Sequence, residues 1–431
     1  MNKDKGKINF TFIDLFAGIG GFHQAMEKLG GKCVFACDIN ADCRKVYKKN
    51  FCPNNEFILE GDIKKAIENN VIPQFDVLCA GFPCQTFSKS GNRTGFNVVE
   101  KENGEKDERG QLFFRIIDIL KLHTECKYFI LENVRNLADN KDNWNIVCSE
   151  LKNQDFIITE EPIIESPENF NVPQARERVY ILGIKKGLIS GKEKITRNDL
   201  KIDKKHNHFN GNCIDWIVDK VINPKYIIDN KTEIAKVLDV WEEFLQELRR
   251  TNTIKSPFWL FHAGIGKEYD LEYIFSDEYD WQKIPNWKKC LLFKSRIMYT
   301  SNKAFIDKWI KKNKMNEKLL IHQKFEWNAS KDCQSVKQGI IQIRQSGVRV
   351  KSPSVFPSLV AMNNTPIIWD TNINQYRYLS VKECAKLQSF KSDFKFSDND
   401  RISYKQLGNS VNVKVIKIIA EGLFNISDRS K

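Results

Sequence analysis

No apolar run in this 431-residue sequence approaches the roughly 18 residues that a membrane-spanning helix requires. The twelve cysteines include no Cys-x-x-Cys pair, and the six histidines do not stand near them at zinc-ligand spacing. That pattern argues against a disulfide framework and against a zinc site, and most of the cysteines read as core residues in a reducing compartment. Internal repeats and long low-complexity tracts are also lacking. The start, Met1 to Lys7, is basic but runs into a strand without a cleavable apolar segment. These absences predict a soluble, intracellular protein without metal or membrane.

What is present fits a large globular protein. A hydrophobic content of 41% is enough for a proper core, and the length suggests one large domain carrying a second, smaller one. Lys and Arg outnumber Asp and Glu by 68 to 55, and the net charge of +13 favours a polyanionic partner such as nucleic acid. From Ile8 to Ile184 strand and helix signals alternate. Phe10 to Phe16, Cys33 to Cys37, Phe75 to Ala80, Tyr128 to Leu131 and Val179 to Ile184 read as strands, with helices at His23 to Leu29 and Ala41 to Asn50. Leu112, Phe113, Ile116, Ile117 and Leu120 have the spacing of one buried helix face. This is the pattern of an α/β, doubly wound sheet. It breaks between 185 and 340, where only a helix at Glu233 to Arg249 can be placed, and resumes near Ile341. Asn409 to Leu423 reads as a capped helix.

Two places in this frame carry chemistry. A strand that ends in Phe16-Ala17-Gly18-Ile19-Gly20-Gly21 and feeds a helix presents backbone N–H groups to a ligand, and Gly18 and Gly20 let the backbone come close. Asp38 ends the next strand, 20 residues beyond Gly18, a place from which a carboxylate reaches ribose hydroxyls. The turn is Gly-x-Gly-Gly, not the Gly-x-Gly-x-x-Gly of dinucleotide sites. A ribose-bearing cofactor other than NAD or FAD fits, and an ordinary tight turn is the alternative. The second place is Cys84, in Gly81-Phe82-Pro83-Cys84-Gln85, just past the end of an apolar strand. A thiol there faces a cleft, whereas Cys79 fills the strand interior.

With Glu132-Asn133-Val134 and Gln174-Ala175-Arg176-Glu177-Arg178, these segments resemble the motifs of the DNA cytosine-5 methyltransferases of bacterial restriction–modification systems. The resemblance spans Ile8 to Ile184 and Ile341 to Leu423. It implies a Rossmann-like S-adenosylmethionine-dependent methyltransferase sheet with a smaller target-recognition domain. Residues 1–184, completed by 341–431, would form the catalytic and cofactor-binding domain, and 185–340 the DNA-binding one. Cys84 would be the nucleophile, with Pro83 shaping its turn. Glu132 would bond ring nitrogen 3, Arg178 would bond cytosine oxygen 2, and Arg176 would hold neighbouring backbone or phosphate. Phe16, Gly18 and Gly20 would form the cofactor turn, with Asp38 on the ribose, Ile39 on the adenine and Asp62 at the adenine amino group. Asp62 is also readable as a plain loop acid. Gly408-Asn409-Ser410-Val411 resembles the last motif, which packs beside the cofactor turn. Phe356-Pro357-Ser358-Leu359-Val360 departs from the usual proline–threonine motif.

A base stacked in a duplex cannot present carbon 6 to a thiol, so the target must flip out and the site close. Ser88, Ser90 and Arg93, in the glycine-bearing stretch 88–110, are candidates to touch phosphate. Between Trp281 and Leu320 there are 11 Lys or Arg against 2 Asp or Glu, interleaved with aromatics. This suits phosphate contact, or a solvated lysine face over an aromatic core. Arg296, Gln323, Arg344 and Arg349 are candidate base readers because Arg and Gln make paired hydrogen bonds to guanine and adenine. The expected protein is a monomeric enzyme of the bacterial cytoplasm or nucleoid that acts on double-stranded DNA beside a cognate restriction endonuclease. A transfer-RNA cytosine-5 methyltransferase, a non-catalytic DNA-binding relative and a nicotinamide oxidoreductase are the alternatives.

Overall fold

A computed structural model describes residues 10–83, 96, 99–100, 106–107, 109–203, 212–251, 256–259, 285–329, 331, 333–361 and 365–428. The chain divides into two compact units, Met1–Asn207 with Pro357–Met362 and Cys384–Lys431, and His208–Phe356 with Asn363–Glu383. The expected division lay at 184/185 and 340/341. Residues 341–356 and 363–383 instead belong with the second unit, because Ile340–Arg344 pairs with Gly347–Lys351 and with Ile367.

In the first unit, strands β1 (Phe10–Leu15), β2 (Gly31–Cys37), β3 (Ile58–Glu60) and β4 (Val77–Gly81) alternate with helices α1 (Gly21–Glu27), α2 (Ala41–Phe51) and α3 (Ile63–Glu68). Helix α4 (Leu112–Leu122) leads to the strand Tyr128–Val134, followed by α5 (Asn136–Asp139) and α6 (Lys141–Lys152). The sheet order is β3-β2-β1-β4, then Tyr128–Val134, Arg178–Lys185 and Phe156–Ile158. Pairing is parallel from β3 to Tyr128–Val134, and antiparallel where Arg178–Lys185 joins.

Alternation along β1 sorts the two faces. Ile13 and Leu15 enter one apolar cluster with Ile63 and Ala66 of α3, Phe113, Ile116, Ile117 and Leu120 of α4, and Trp144, Val147 and Leu151 of α6. Phe12 and Asp14 point to the opposite face, where the Phe12 ring meets His23 of α1 edge-on at 5.3 Å and Tyr47 of α2 donates its hydroxyl to Asp14 at 3.2 Å. Both faces are covered, as a parallel sheet requires. The strand order reverses between β1 and β4, so the crevice of a doubly wound sheet lies beyond their carboxyl ends. There the chain runs Phe16–Gly20 on one side and Phe82–Pro83 on the other.

The chain's last segment completes this unit. The expected helix from Asn409 is two helices, Asp400–Asn409 and Val413–Asp428. Asn409 ends the first, and Asn412 caps the second by accepting the N–H groups of Lys414 and Val415 at 3.1 and 3.2 Å. Two asparagines three residues apart offered two caps, and the second was used. Phe424 packs edge-on against Phe10 and Tyr128, which fixes the final helix to the sheet.

In the second unit a sheet runs Phe258–Trp259, Lys324–Asn328, Gly347–Lys351, Ile340–Arg344, Ile367–Asp370, Gln375–Tyr378. The helix Glu233–Arg250, capped by Thr232, lays Val237, Leu238, Trp241, Phe244 and Leu245 onto it. Arg377 is fully buried, with Nε on Asp370 at 2.6 Å and both Nη atoms on Glu383 at 2.8 Å. Removing one partner of such a group strands buried charge. Arg377→Ala is therefore expected to cost about 3–5 kcal/mol, read as a lowered melting temperature; an unchanged melting curve would contradict this account.

Candidate active site

β1 stops at Leu15 because the next residues leave extended geometry. Phe16, Gly18 and Gly20 have φ of 54°, 55° and 86°. A side chain on Gly20 would lie 2.2 Å from the Phe51 ring, and one on Gly21 would lie 2.7 Å from Val411 and 2.8 Å from the Ser410 hydroxyl. The turn is thus clamped between α2 and the Ser410–Val411 chain. Asp38, at the end of β2, accepts the Gly18 N–H on Oδ2 and the Asn40 N–H on Oδ1, both at 2.8 Å. Burial raises its pKa against these two bonds and the nearby Arg44. Ile39, next to it, leaves 77% of its surface exposed, an apolar side chain held in the open beside the turn. Asp62 caps α3 by accepting the Lys64 N–H at 2.9 Å, so it has a structural task whatever else it does. An exposed apolar side chain, a carboxylate and a glycine turn at one sheet end fit an adenosine-type group.

Across the crevice, Gly81 of β4 pairs in register with Glu132, and Glu132 with Tyr180. Glu132 is 8% exposed, and its Oε1 lies 3.0 Å from Nε of Arg178. Among the described residues Oε2 has no hydrogen-bond partner. It lies on the Gly81 side, where an added Cβ would be 3.6 Å away. Burial raises the Glu132 pKa, opposed by the charges of Arg178 and Arg176. Arg178 also donates Nη1 to the Glu177 carbonyl at 2.8 Å. Tyr180, buried beside Glu132, is likewise pushed up by burial and by the neighbouring carboxylate.

Arg176 does not project alongside Arg178 toward a ligand. Its guanidinium is 4% exposed and holds this chain's own backbone. Nη1 donates to the Ser358 hydroxyl at 3.0 Å and the Leu359 carbonyl at 2.9 Å, and Nη2 to the Gly408 and Ser410 carbonyls at 3.0 and 2.8 Å. Ser358 and Leu359 belong to the segment that departed from the expected motif, and that segment is one of Arg176's anchors. Gly408 is packed so tightly on Val360 that a Cβ would lie 2.4 Å from its carbonyl carbon. A hollow of about 410 Å³ opens beside these groups, lined by Val134, Arg135, Asn136, Asp139, Ala175, Arg176, Glu177, Arg178 and Ser358. On its rim Arg135 pairs with Glu177 at 3.0 Å and Asp139 at 3.3 Å.

Sequence reasoning assigned no task to Asn133, which is buried and donates Nδ2 to the Phe82 carbonyl at 3.2 Å, fixing the chain just before Pro83. Its place between Glu132 and Val134 was the only signal. Cys84, Ser88, Ser90 and Arg93 lie outside the described residues; Pro83 is the neighbour of Cys84 in sequence and follows Asn133's anchor by one residue. Asn409 is exposed at its helix end, and it is Ser410 and Val411 that touch the turn. In the second unit, Tyr299 and Trp309 of the basic stretch are core residues on the helices Asn286–Ser301 and Lys303–Asn313, so there the lysines solvate an aromatic core. Phe293, 57% exposed, is the exception. Arg296 is half-buried on the first of these helices, and Trp281 lies outside the described residues.

Residues 10–425 match the family model described as C-5 cytosine-specific DNA methylase. The chain belongs to that family. Type II methyltransferase M.HpaII of Haemophilus parainfluenzae is 43% identical over 180 residues, covering 41% of this chain and 46% of that protein. Type II methyltransferase M.AluI of Cellulosimicrobium cellulans is 28% identical, covering 96% of this chain and 92% of its own. Among solved structures, the Entamoeba histolytica methyltransferase EhMeth shares the fold with a TM-score of 0.51 and 16% identity, covering 97% of this chain and 98% of that one. The chain is therefore a C-5 cytosine-specific DNA methyltransferase of the restriction–modification type, built on the methyltransferase α/β sheet expected from sequence.

The raised Glu132 pKa has a sign that can be read in solution. A carboxyl whose folded pKa exceeds its unfolded value stabilises the fold below the unfolded pKa, and that contribution is lost as pH rises through the folded one. Glu132→Gln abolishes the titration. The melting temperature of the variant minus that of the parent should rise as pH climbs from the ordinary glutamate value of 4.5. A difference that is flat or falls with pH would show that burial does not raise the pKa of this carboxyl.

Proposed function

We propose that this methyltransferase transfers a methyl group from S-adenosylmethionine to carbon 5 of a cytosine flipped out of a specific duplex sequence, through a covalent Cys84 adduct at carbon 6. The observation that carries the reading is Glu132, whose Oε1 is held by Arg178 while Oε2 faces the room left by Gly81.

Carbon 5 of cytosine is a poor nucleophile. The Cys84 thiolate adds to carbon 6, and the π electrons of the ring move toward carbon 5 and nitrogen 3. Glu132, whose pKa burial raises, donates a proton or a strong hydrogen bond at nitrogen 3 and stabilises the enamine-like ring. Arg178 bonds oxygen 2 while keeping Glu132 in place. Arg176 acts as a positioning residue through its four bonds to the chain. Pro83 and the Asn133 bond to Phe82 set the approach of the nucleophile's loop. When bound, S-adenosylmethionine supplies an electrophilic methyl group to carbon 5. Phe16, Gly18 and Gly20 would cradle it, with Asp38 on the ribose hydroxyls, Ile39 on the adenine, Asp62 at the adenine amino group and Asn409 near the turn. Loss of the carbon 5 proton, with water as the acceptor, then expels Cys84.

Closure over the duplex falls to the segment with Ser88, Ser90 and Arg93, and target recognition to the second unit, where Arg296 and Arg349 are candidate contacts. The enzyme would act as a monomer in the bacterial cytoplasm and protect host DNA from a cognate restriction endonuclease.

Bisulfite sequencing of DNA from a methylation-free bacterial host tests this reading. Protection of cytosines within one short motif is expected, and its loss with Cys84→Ala. Glu132→Gln should lower turnover by roughly 10²- to 10⁴-fold. Duplexes carrying 5-fluorocytosine should trap the enzyme covalently, because fluorine cannot leave as a proton does. An active enzyme that forms no such adduct, or full methylation by Cys84→Ala, would remove Cys84 from the mechanism.

A further inference from the structure

The second unit holds two arginine–carboxylate centres that are built differently. Arg377 is spent. All three of its nitrogens are engaged, by Asp370, Glu383 and the Tyr378 carbonyl, and it is fully buried. The other centre is on the sheet face away from the core. Phe325, Val348, Val350 and Ile341 turn inward. The alternating residues Glu326, Arg349 and Gln342 are in register across three adjacent strands and turn outward. Glu326 lies between three cations. Lys324 is 2.8 Å from one carboxylate oxygen, and Arg349 and, at 3.5 Å, Arg344 share the other. One carboxylate among three cations leaves a local excess of two positive charges. Lys324 also lies 4.2 Å over the ring of Trp259, which extends the face by one strand.

The way Glu326 grips Arg349 matters most. The carboxylate takes Nε and Nη2 from the side on a single oxygen. A guanidinium has five N–H donors in a rigid plane. The side-on grip uses two, and among the described residues no acceptor takes the Nη1 end. An end-on pair of parallel N–H groups therefore remains, fixed in direction by the carboxylate and partly exposed, since 27% of the Arg349 side chain is accessible. That pair matches the O6 and N7 acceptors of guanine in the major groove. Gln342, directly opposite Arg349, is covered by its neighbours and contributes an amide beside the fork.

We infer that Arg349, fixed by Glu326 and flanked by Arg344 and Lys324, reads a guanine in the target duplex, and that Glu326 is the positioning residue that makes this arginine a base reader and not a phosphate contact. The inference rests on duplex DNA being the substrate. It adds which base is read, by which residue, and through which support.

The test uses the full chain in two assays. The methylation pattern is read by bisulfite sequencing in a methylation-free host, and binding preference by selection from a pool of randomised duplexes with purified protein. The parent motif should contain a G·C pair besides that of the target cytosine. Arg349→Lys keeps a cation for Glu326 but lacks the fork, and should lower discrimination at that one position by roughly ten- to a hundredfold while the rest of the motif persists. Glu326→Gln should blur the same position. Arg349→Ala should do the same, and if it fails to fold, Arg349→Lys alone decides. Binding that weakens evenly across all sequences, with the motif intact in Arg349→Lys, would make Arg349 a phosphate contact and overturn the inference. A parent motif with no G·C pair besides that of the target cytosine would overturn it as well. If the parent selects a motif but methylates nothing, the proposed chemistry fails and the selection still judges Arg349. If the parent selects no duplex sequence, both fall.

Discussion

The first unit depends on one buried guanidinium. Arg176 precedes the strand that carries Arg178, and its four bonds reach two segments that lie about 180 and 230 residues further along the chain, at Ser358–Leu359 and Gly408–Ser410. Each acceptor left without its donor would cost about 1–3 kcal/mol, a large share of a typical stability of 5–15 kcal/mol. The hydroxyl of the same Ser410 that receives this bond lies against Gly21, at the end of the glycine turn. A single residue thus ties the strand holding the glutamate's partner to the turn on the other side of the crevice. Any shift of Arg176 would be felt at both.

This tie explains why the glycines sit where they do. Gly408 is pressed on the backbone of Val360, Gly21 on Val411, and Gly20 on the Phe51 ring. These are contacts of chain on chain, with no space for a methyl group. Gly18 differs. Nothing lies within 4 Å of where its Cβ would be, and its requirement comes from φ and from the N–H it gives to Asp38. Close packing accounts for Gly408 and Gly21, conformation for Gly18, and both for Gly20.

The doubly wound sheet was legible in sequence because β1, β2 and the strands after them are short apolar runs separated by capped helices, and such signals are local. The placement of Glu132 and Arg178 on strands was legible for the same reason. That Arg176 would hold backbone or phosphate was legible, but not which backbone. Its partners are main-chain carbonyls far away in sequence, and a carbonyl has no signature in the letters. The unit boundary at 341 was also misplaced, since Ile340–Arg344 looks like any apolar strand and only its pairing with Gly347–Lys351 assigns it to the second sheet. In the basic stretch, lysines interleaved with aromatics suit phosphate contact and a solvated face over an aromatic core alike, and the burial of Tyr299 and Trp309 decided for core there.

The first unit is interrupted by the second, and this sets an order on biosynthesis. The α1 face of the sheet, including Phe10 and Gly21, is covered by Val411 and Phe424. These residues emerge from the ribosome only after the intervening unit has been made. With Asn207 and Cys384 as the borders, translation at about 5–20 residues per second leaves that apolar face uncovered for on the order of ten to thirty seconds. During this interval the nascent sheet is a surface that chaperones can hold, and the glycine turn lacks the wall that Ser410 and Val411 give it. The first unit is therefore completed last, after the inserted unit has been made.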